Sequence, residues 1–440
     1  MLRNERNDQV GFILDPLRPY DRAEVLRRLE PAQQEHLFSV MRTALAADIF
    51  QELEREEQLR LLRMIGPEKA VSILDEMSSD DAADLLAELE YPHRRQLLSL
   101  LPKEEAKELR SLLAYPEQSA GGIMTTELLA FPAHLTVQKV FKELRRVSRE
   151  AETIYYLYVV DEAERLVGVL SVRDLILAEP EARLDEIMIR DVVSVRVDDD
   201  QEEVARAIER YDLLAVPVVD RHGVLAGFVT VDDVIDVITD EATEDISRLS
   251  GISGQVTGVD DLRVGAVDTA RKRLPWLVFL LFVGLIAGRI IAQFETTLET
   301  VVILAFFIPM IADMAGNTGT QSLAVTVRGL ALGKFRNGEV WRLIRREAVV
   351  GLILGAVNGI AIAAIAAVWQ RNIALGFVIG FSLWFTLIVA TMIGAIVPLI
   401  LSRFRVDPAV ASGPFITTVN DIVGLTIYFT TATILMAYLI

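Results

Sequence analysis

From Leu274 to Ile440 the chain offers five apolar stretches, near 274–293, 300–324, 347–369, 374–402 and 409–438. Crossing ~30 Å of hydrocarbon takes ~20 residues of helix, so 273–440 reads as an α-helical transmembrane domain of five spans. The last two stretches exceed that length and are expected to tilt or extend past the lipid. Basic residues set the orientation. Arg271, Lys272 and Arg273 precede the first span. Lys334, Arg336, Arg342, Arg345 and Arg346 lie between the second and third, and Arg403 and Arg405 between the fourth and fifth. The other two connections, FETTLET and WQRN, hold Arg371 as their one base. Odd-numbered spans therefore run from inside to outside, which puts the N-terminus in the cytoplasm and the C-terminus outside.

The first 273 residues differ in kind. They hold 55 acidic and 34 basic residues, a net −21, against 7 and 10 in the remainder, a net +3. MLRNERNDQVGF, at the start, has no apolar core and is not expected to be a signal peptide, which keeps this acidic half in the cytoplasm. There is no cysteine, so disulfides and thiolate metal sites are excluded. The four histidines (36, 93, 134 and 222) are too scattered to suggest zinc. No nucleophile–base pair, phosphate-binding glycine loop or metalloprotease motif appears. The chain reads as a non-enzyme, with no nucleic-acid partner expected.

Polar residues interrupt two of the spans. Asp421, in SGPFITTVNDIVGLTIYF, lies 12 residues past Ala409; Asp313, in IPMIADMAGNTGTQS, lies 12 past Val301 and enters from the other face. At 1.5 Å per residue both reach ~18 Å, near the bilayer midplane. A charge there costs at least ~2.5–3.5 kcal/mol, which makes each acid a functional candidate. The plainer alternative is a protonated or paired acid used in helix packing. Arg289 is the one base deep in a span; it is either a partner for these acids or reaches outward to the interface. Pro309, Gly316 and Gly319 weaken the helix around Asp313 and Asn317, and broken helix at membrane depth is tolerated where it lines a cavity or packs on protein. Pro309, Asp313, Asn317 and Gln321 recur every four residues and share one face. Such oxygen ligands suit a hard cation. Mg²⁺ takes six oxygens in near-octahedral geometry and gives up water reluctantly, so one Asp per subunit, doubled by a two-fold axis, would serve. The glycines have a second reading, close helix–helix contact, which applies at least equally to Gly284, Gly288, Gly351 and Gly355.

Residues 15–115 carry Leu and Ile at helical period with Glu, Arg and Gln between. AEVLRRLEP, ADIFQELER and ADLLAELEY, starting at Ala23, Ala47 and Ala83, repeat one pattern at spacings of 24 and 36, as stacked short helices do. Pro67, Pro92 and Pro102 suit helix starts. After Tyr115 the texture changes. TIYYLYVVDEAERLVGVLSVRDLI (153–176) matches LLAVPVVDRHGVLAGFVTVDDVI (213–235): an apolar strand, an acidic turn, a glycine-bearing strand, then Ser or Thr three before Asp at a helix start. GIMTTELLAFPAHLTVQKVFKEL (122–144) and EIMIRDVVSVRVDDDQEEVARAI (186–208) form the first halves of two ββαβ-type units. The pair resembles tandem cystathionine-β-synthase (CBS) domains. In that family such strand–helix turns often hold the ribose of an adenine nucleotide, here at Ser171, Asp174, Thr230 and Asp233; Tyr156 and Arg173 complete the implied contact set. ATP or another adenine nucleotide is the implied ligand. A helix N-cap accounts for the same Ser/Thr–Asp pairs.

The whole order then identifies a family. SLLAYPEQSAGGIMTTE joins the helical and CBS-like parts, and the spans carry PMIADMAGNTGTQSLAVTVRGLALG and DPAVASGPFITTVNDIVGLTIYF. Over nearly its full length the chain resembles the MgtE magnesium transporter family. The resemblance implies a multidomain membrane protein. An all-α superhelical N domain (1–120) is followed by an α/β tandem CBS pair (121–240, as about 121–182 and 183–240). A connecting or gating helix (241–272) leads to the transmembrane domain (273–440). It further implies a homodimeric Mg²⁺-selective channel of a bacterial or archaeal plasma membrane, with Co²⁺, Mn²⁺ and Ni²⁺ as related cargo. Asp421 would bind the ion, with Asn317, Gly316, Gln321 and Thr417 along the path. Asp313 departs from the pattern, where an uncharged residue is expected. Cytosolic Mg²⁺ would close the pore by bridging Asp80, Asp84, Asp200, Glu202, Asp212, Asp233, Asp236, Glu241, Glu244 and Asp245. Glycines at 251, 254 and 258 put a continuous gating helix in question. The physics of such a gate needs no family. Acids crowded at −21 repel one another, and a divalent cation between them shifts a two-state equilibrium toward the compact form; a surface tuned for solubility is the plainer reading. Seven acids between 232 and 245 favour the gate. Two other readings stay open: a nucleotide sensor anchored by its membrane half, and a secondary divalent-cation transporter coupled to H⁺ or Na⁺, for which two midplane acids are suited.

Overall fold

The computed structural model describes residues 14, 16–147, 155–252, 266–331, 335, 339–404 and 406–435. Lys334, Arg336, Arg405, Gly254, Gly258 and the end of the last expected span lie outside them. The chain divides into two compact units, Met1–Thr239 and Asp240–Ile440.

The first unit opens with eight short helices: α1 (Pro19–Arg27), α2 (Pro31–Val40), α3 (Thr43–Gln51), α4 (Arg55–Met64), α5 (Pro67–Leu74), α6 (Ser79–Ala87), α7 (Tyr91–Leu100) and α8 (Lys103–Leu112). Each packs on the helix two further along, which winds them into a superhelix. Proline starts α1, α2, α5 and α7 and caps α8, positions whose N–H has no partner in the helix. The repeat extends to hydrogen bonds. Gln34 Nε2 donates to Leu26 O (3.0 Å), and 24 residues on Gln58 Nε2 donates to Phe50 O (2.8 Å). Both glutamines are buried, and each adds a side-chain donor to a helix-end carbonyl that already accepts from the backbone of the following turn.

Two three-stranded sheets follow. The first is β1 (Ala130–Pro132), β2 (Tyr156–Val160) and β3 (Leu166–Ser171); the second is β4 (Val195–Arg196), β5 (Ala215–Val219) and β6 (Leu225–Thr230). In each the central strand pairs parallel with the first strand and antiparallel with the third, with the register slipping at the same place, Val159/Val160 and Val218/Val219. Helices α9 (Val137–Val147), α10 (Val172–Leu177), α11 (Leu184–Ile187) and α12 (Gln201–Tyr211) complete the CBS pair. The copies exchange their turns: Leu166 N donates to Gly223 O (3.0 Å) and Leu225 N to Glu164 O (3.1 Å). Glu164 and Gly223 hold matching left-handed positions, φ 58° and 80°.

Helix α13 (Val231–Leu249) follows β6 directly. It runs unbroken through the acids expected to open a separate gating helix at 241. It ends at Gly251, whose φ of +71° suits a residue without a Cβ.

The second unit contains α14 (Ala266–Gln293), α15 (Glu295–Thr300), α16 (Leu304–Ala331), α17 (Glu339–Gln370), α18 (Ile373–Arg403), a 3₁₀ turn at Pro408–Val410 and α19 (Gly413–Ile434). Among the described residues, three helices are long and apolar enough to cross a membrane: Thr269–Gln293 within α14, then α17 and α18. At the second and fifth expected spans stand α16 and α19, where Asp313, Asn317, Gln321, Asn420 and Asp421 dilute the apolar content. The expected break in the second span is absent, because α16 continues from Leu304 through Ala331. Pro309 falls only five residues into it, and Gly316 and Gly319 serve contact instead of bending. The packing role expected of Gly351 and Gly355 holds. A Cβ at Gly351 would meet Ile388 Cα at 2.8 Å, and one at Gly355 would meet Trp384 O at 2.6 Å. Among the described residues, nothing lies within 4 Å of a Cβ placed at Gly284 or Gly288.

Candidate functional site

Helices α16 and α19 are held close by missing side chains. A Cβ on Gly316 would meet Thr417 Cγ2 at 2.6 Å, and one on Gly319 would meet Asn420 Cγ and Ile416 Cγ2, each at 3.1 Å. Gly316 and Thr417 therefore meet at the helix contact. Tyr428, fully buried on α19, donates to Leu304 O (2.9 Å) and fixes the start of α16. The other side of α16 is open: Pro309, Asp313, Asn317 and Gln321 are all exposed, while Ile311, Ala315, Thr318, Ser322 and Leu323 are buried. The four-residue spacing thus becomes one polar face. Asp313 and Asp421 lie close enough for their charges to act on each other.

Among the described residues, one oxygen of the Asp421 carboxyl and both polar atoms of Asn420 are buried without a hydrogen-bond partner. Arg289 is exposed. No three acidic, histidine or cysteine side chains among the described residues converge as a metal cage. An ion on this face would draw its remaining ligands from amides, carbonyls, water or a second copy, which suits a cation that keeps its water. One further acid of this unit has no signal in the sequence pattern. Glu347 on α17 is buried and accepts from Ser322 Oγ at 2.9 Å, and that hydroxyl also lies 2.8 Å from Thr391 O of α18. It sits at the start of a strongly apolar stretch, which masked it.

The regulatory candidates fall into three groups. On α6, Asp84 pairs with Arg55 (3.3 Å). Burial lifts its carboxyl to about 6, Arg55 pulls the other way, and Asp81, Glu117 and Glu88 push it further up. Asp80 is its partly exposed neighbour one turn earlier. Asp233, at the start of α13, is likewise raised to about 6, first by burial, with Asp232 and Asp81 adding to it while hydrogen bonds from Thr230 oppose. Asp81 therefore acts on both Asp84 and Asp233, a role that reading SSDDAADLL as a linear run could not assign. Asp200 caps α12 by accepting from Glu202 N (2.9 Å), Glu202 pairs with Arg206, and Asp212 closes the helix in a left-handed turn. Asp236 is exposed on α13. Further along, Glu241, Glu244 and Asp245 are half-buried. Asp245 is raised by burial and then by Glu241 and Glu244, against Arg248.

At the nucleotide candidates the capping arrangement is present. Ser171 Oγ donates to Asp174 Oδ2 (2.6 Å) and accepts from Asp174 N (3.1 Å). Thr230 pairs with Asp233 in the same way. Arg173 is exposed. Tyr156 lines a pocket between the two CBS copies with Leu129, Tyr155, Tyr158, Ala215 and Phe228. The Tyr158 and Phe228 rings lie 6.0 Å apart, and the Tyr158 hydroxyl is buried with no partner among the described residues.

Three profiles of known families cover most of this arrangement. One described as a divalent cation transporter matches residues 308–431, one described as the MgtE intracellular N domain matches 17–118, and the CBS domain matches 120–181 and 184–240. The chain is 45% identical over 433 residues to the magnesium transporter MgtE of Bacillus subtilis, spanning 98% of this chain and 95% of that one. The solved soluble part of a magnesium transporter is 41% identical, with a TM-score of 0.53, over 55% of this chain and 95% of its own. The cytosolic domain of the Mg²⁺ channel MgtE in complex with ATP is 42% identical, with a TM-score of 0.52, over 54% of this chain and 96% of its own.

Proposed function

The chain belongs to the MgtE family and transports magnesium, and from that premise we propose that it is a Mg²⁺-selective channel of the plasma membrane, closed by cytosolic Mg²⁺. The observation that carries this reading is the open polar face of α16, with Asp421 of α19 beside it. A face of Asp313, Asn317 and Gln321 left bare at membrane depth is costly against lipid. A second copy related by a two-fold axis would enclose it around a hydrated ion path. On this reading α16 and α19 cross the membrane with α14, α17 and α18, and Asp421 is the principal ion-binding carboxylate. Gly316 and Thr417 set the width of the path by bringing the helices together.

Closure follows from charge. Asp80, Asp84, Asp200, Glu202, Asp212, Asp233, Asp236, Glu241, Glu244 and Asp245 are the proposed cytosolic Mg²⁺ ligands. Asp84 and Asp233 support this: burial raises both carboxyls first and neighbouring acids raise them further, and a divalent cation beside them would offset both effects. An adenine nucleotide is the proposed ligand of the CBS pair. Its base would stack on the tyrosine-lined pocket, and its ribose would meet Ser171 and Asp174 or Thr230 and Asp233.

The test is Mg²⁺ flux into proteoliposomes. Asp421→Ala abolishes flux while the protein elutes at the wild-type size. Asp313→Asn changes conductance or selectivity. Wild-type flux from Asp421→Ala removes that residue from the ion path and the proposal with it.

A further inference from the structure

The end of α13 is docked on the turn that introduces α19. Leu249 joins an apolar cluster with Leu323 and Val327 of α16, Ala409 and Ala411 of the turn, and Ile416 of α19. Gly413, the first residue of α19, has its missing Cβ 3.3 Å from Leu249 O. The negative end of one helix thus abuts the positive end of the next, a favourable alignment of backbone dipoles. Two charges span the junction in the same sense. Arg248, in the last turn of α13, pairs with Asp407, and Asp407 accepts from Ala409 N (2.8 Å) to cap the 3₁₀ turn. The guanidinium is also shared with Glu244, one turn back on α13. Both members of the Arg248–Asp407 pair are about two-thirds shielded from solvent, with 37% and 30% of their side chains exposed. The partners are 159 residues apart in sequence, so the pair fixes tertiary placement.

We propose that Arg248 is a positioning residue for gating: through Asp407 it seats the end of α13 on the turn that sets α19, and so Asp421, in its closed placement. The direction of the effect follows from the shared guanidinium. Glu244 competes with Asp407 for Arg248, and a cation taken up by Glu244 leaves Arg248 to Asp407 alone. Cytosolic Mg²⁺ then tightens the seat. The inference rests on the reading of the chain as a channel closed by cytosolic Mg²⁺.

The test measures flux of the full chain in liposomes while Mg²⁺ is titrated on the cytosolic face. Arg248→Gln and Asp407→Asn each remove one charge, and Asn keeps the cap that Asp407 provides. Each variant conducts like wild type at low cytosolic Mg²⁺ and needs at least about threefold more Mg²⁺ to close. Arg248→Lys retains the charge and closes nearer to wild type. The double variant is no worse than either single one, because one interaction is removed once. Wild-type closing in both singles, or additive losses in the double, overturns the proposal. Flux through the wild-type protein that ignores cytosolic Mg²⁺ overturns the gating reading instead. A second readout is independent of flux. The chain has no cysteine, so Leu249→Cys with Gly413→Cys forms a single cross-link, and adding Arg248→Gln lowers its yield. An unchanged yield shows that the ion pair does not hold the seat.

Discussion

Gly319→Ala is the sharpest probe of how the ion path is built. The new methyl would lie 3.1 Å from both Asn420 Cγ and Ile416 Cγ2, closer than ordinary contact, and closer still to the Asn420 amide nitrogen. Asn420 cannot swing away freely, because it is only 1% exposed. Relief therefore requires the buried Asn420 side chain to turn or α16 and α19 to part. Overpacking of this kind costs about 1–3 kcal/mol. Alanine also favours a helix interior over glycine by about 0.5–1 kcal/mol, so a reference substitution is needed. Gly284→Ala is that reference: it lies within α14 and, among the described residues, nothing stands within 4 Å of it. The difference between the two variants isolates the packing cost. At about 2–4 °C per kcal/mol for a unit of 150–250 residues, Gly319→Ala melts about 2–12 °C below Gly284→Ala in detergent. Its flux falls as the Thr417 and Asn420 contacts shift. Equal melting temperatures would show that the α16–α19 contact is loose in solution and would refute the reasoning.

Two further outcomes test the cytosolic half. If the proposed closure by cytosolic Mg²⁺ holds, neutralising Glu241, Glu244 and Asp245 together, as Gln, Gln and Asn, leaves flux running at Mg²⁺ levels that stop it in the wild type; an unchanged Mg²⁺ response in the flux assay removes the acidic gate. The second concerns pH. Asp84 and Asp233 are both raised to about 6, so their protonated forms are favoured by the fold. Without Mg²⁺ that contribution is complete below the unfolded values near 4 and is lost as pH rises through about 6. Mg²⁺ needs the ionised forms, so the thermal stabilisation it confers is large at about pH 7.5 and shrinks at about pH 5.5. A Mg²⁺-induced shift that does not change between those values contradicts the assignment.

What could be read from the sequence was whatever repeats locally. The two CBS copies match down to the slip after Val159 and Val218, because strand, turn and helix are each set by neighbours in sequence. The face of Asp313, Asn317 and Gln321 was visible for the same reason, as a four-residue period on one helix. The helix break was misjudged because Pro309 and the glycines look alike in sequence whether they bend a helix or admit a neighbour. Thr417 and Asn420, a hundred residues away in sequence, decide the matter in favour of contact. The boundary near 240 hid the continuity of α13, although no glycine or proline interrupts the residues from 231 to 249. Three features depend on residues brought together only by folding: the reach of Asp81 to Asp233, the pocket shared by Tyr158 and Phe228, and the pair of Arg248 with Asp407.

The unbroken length of α13 sets a mechanical scale. Its 19 residues make a rod about 28 Å long at 1.5 Å per residue. Asp233 is near its base and Arg248 near its tip. A tilt of about 10° at the base sweeps the tip by about 5 Å, close to one helical pitch. On the proposed reading, small rearrangements among carboxylates at one end would become a stroke large enough to lift Leu249 out of its seat. The rod has no internal joint to absorb the motion. Its gain is written in its length, and its aim in the 100° that each residue adds around the axis.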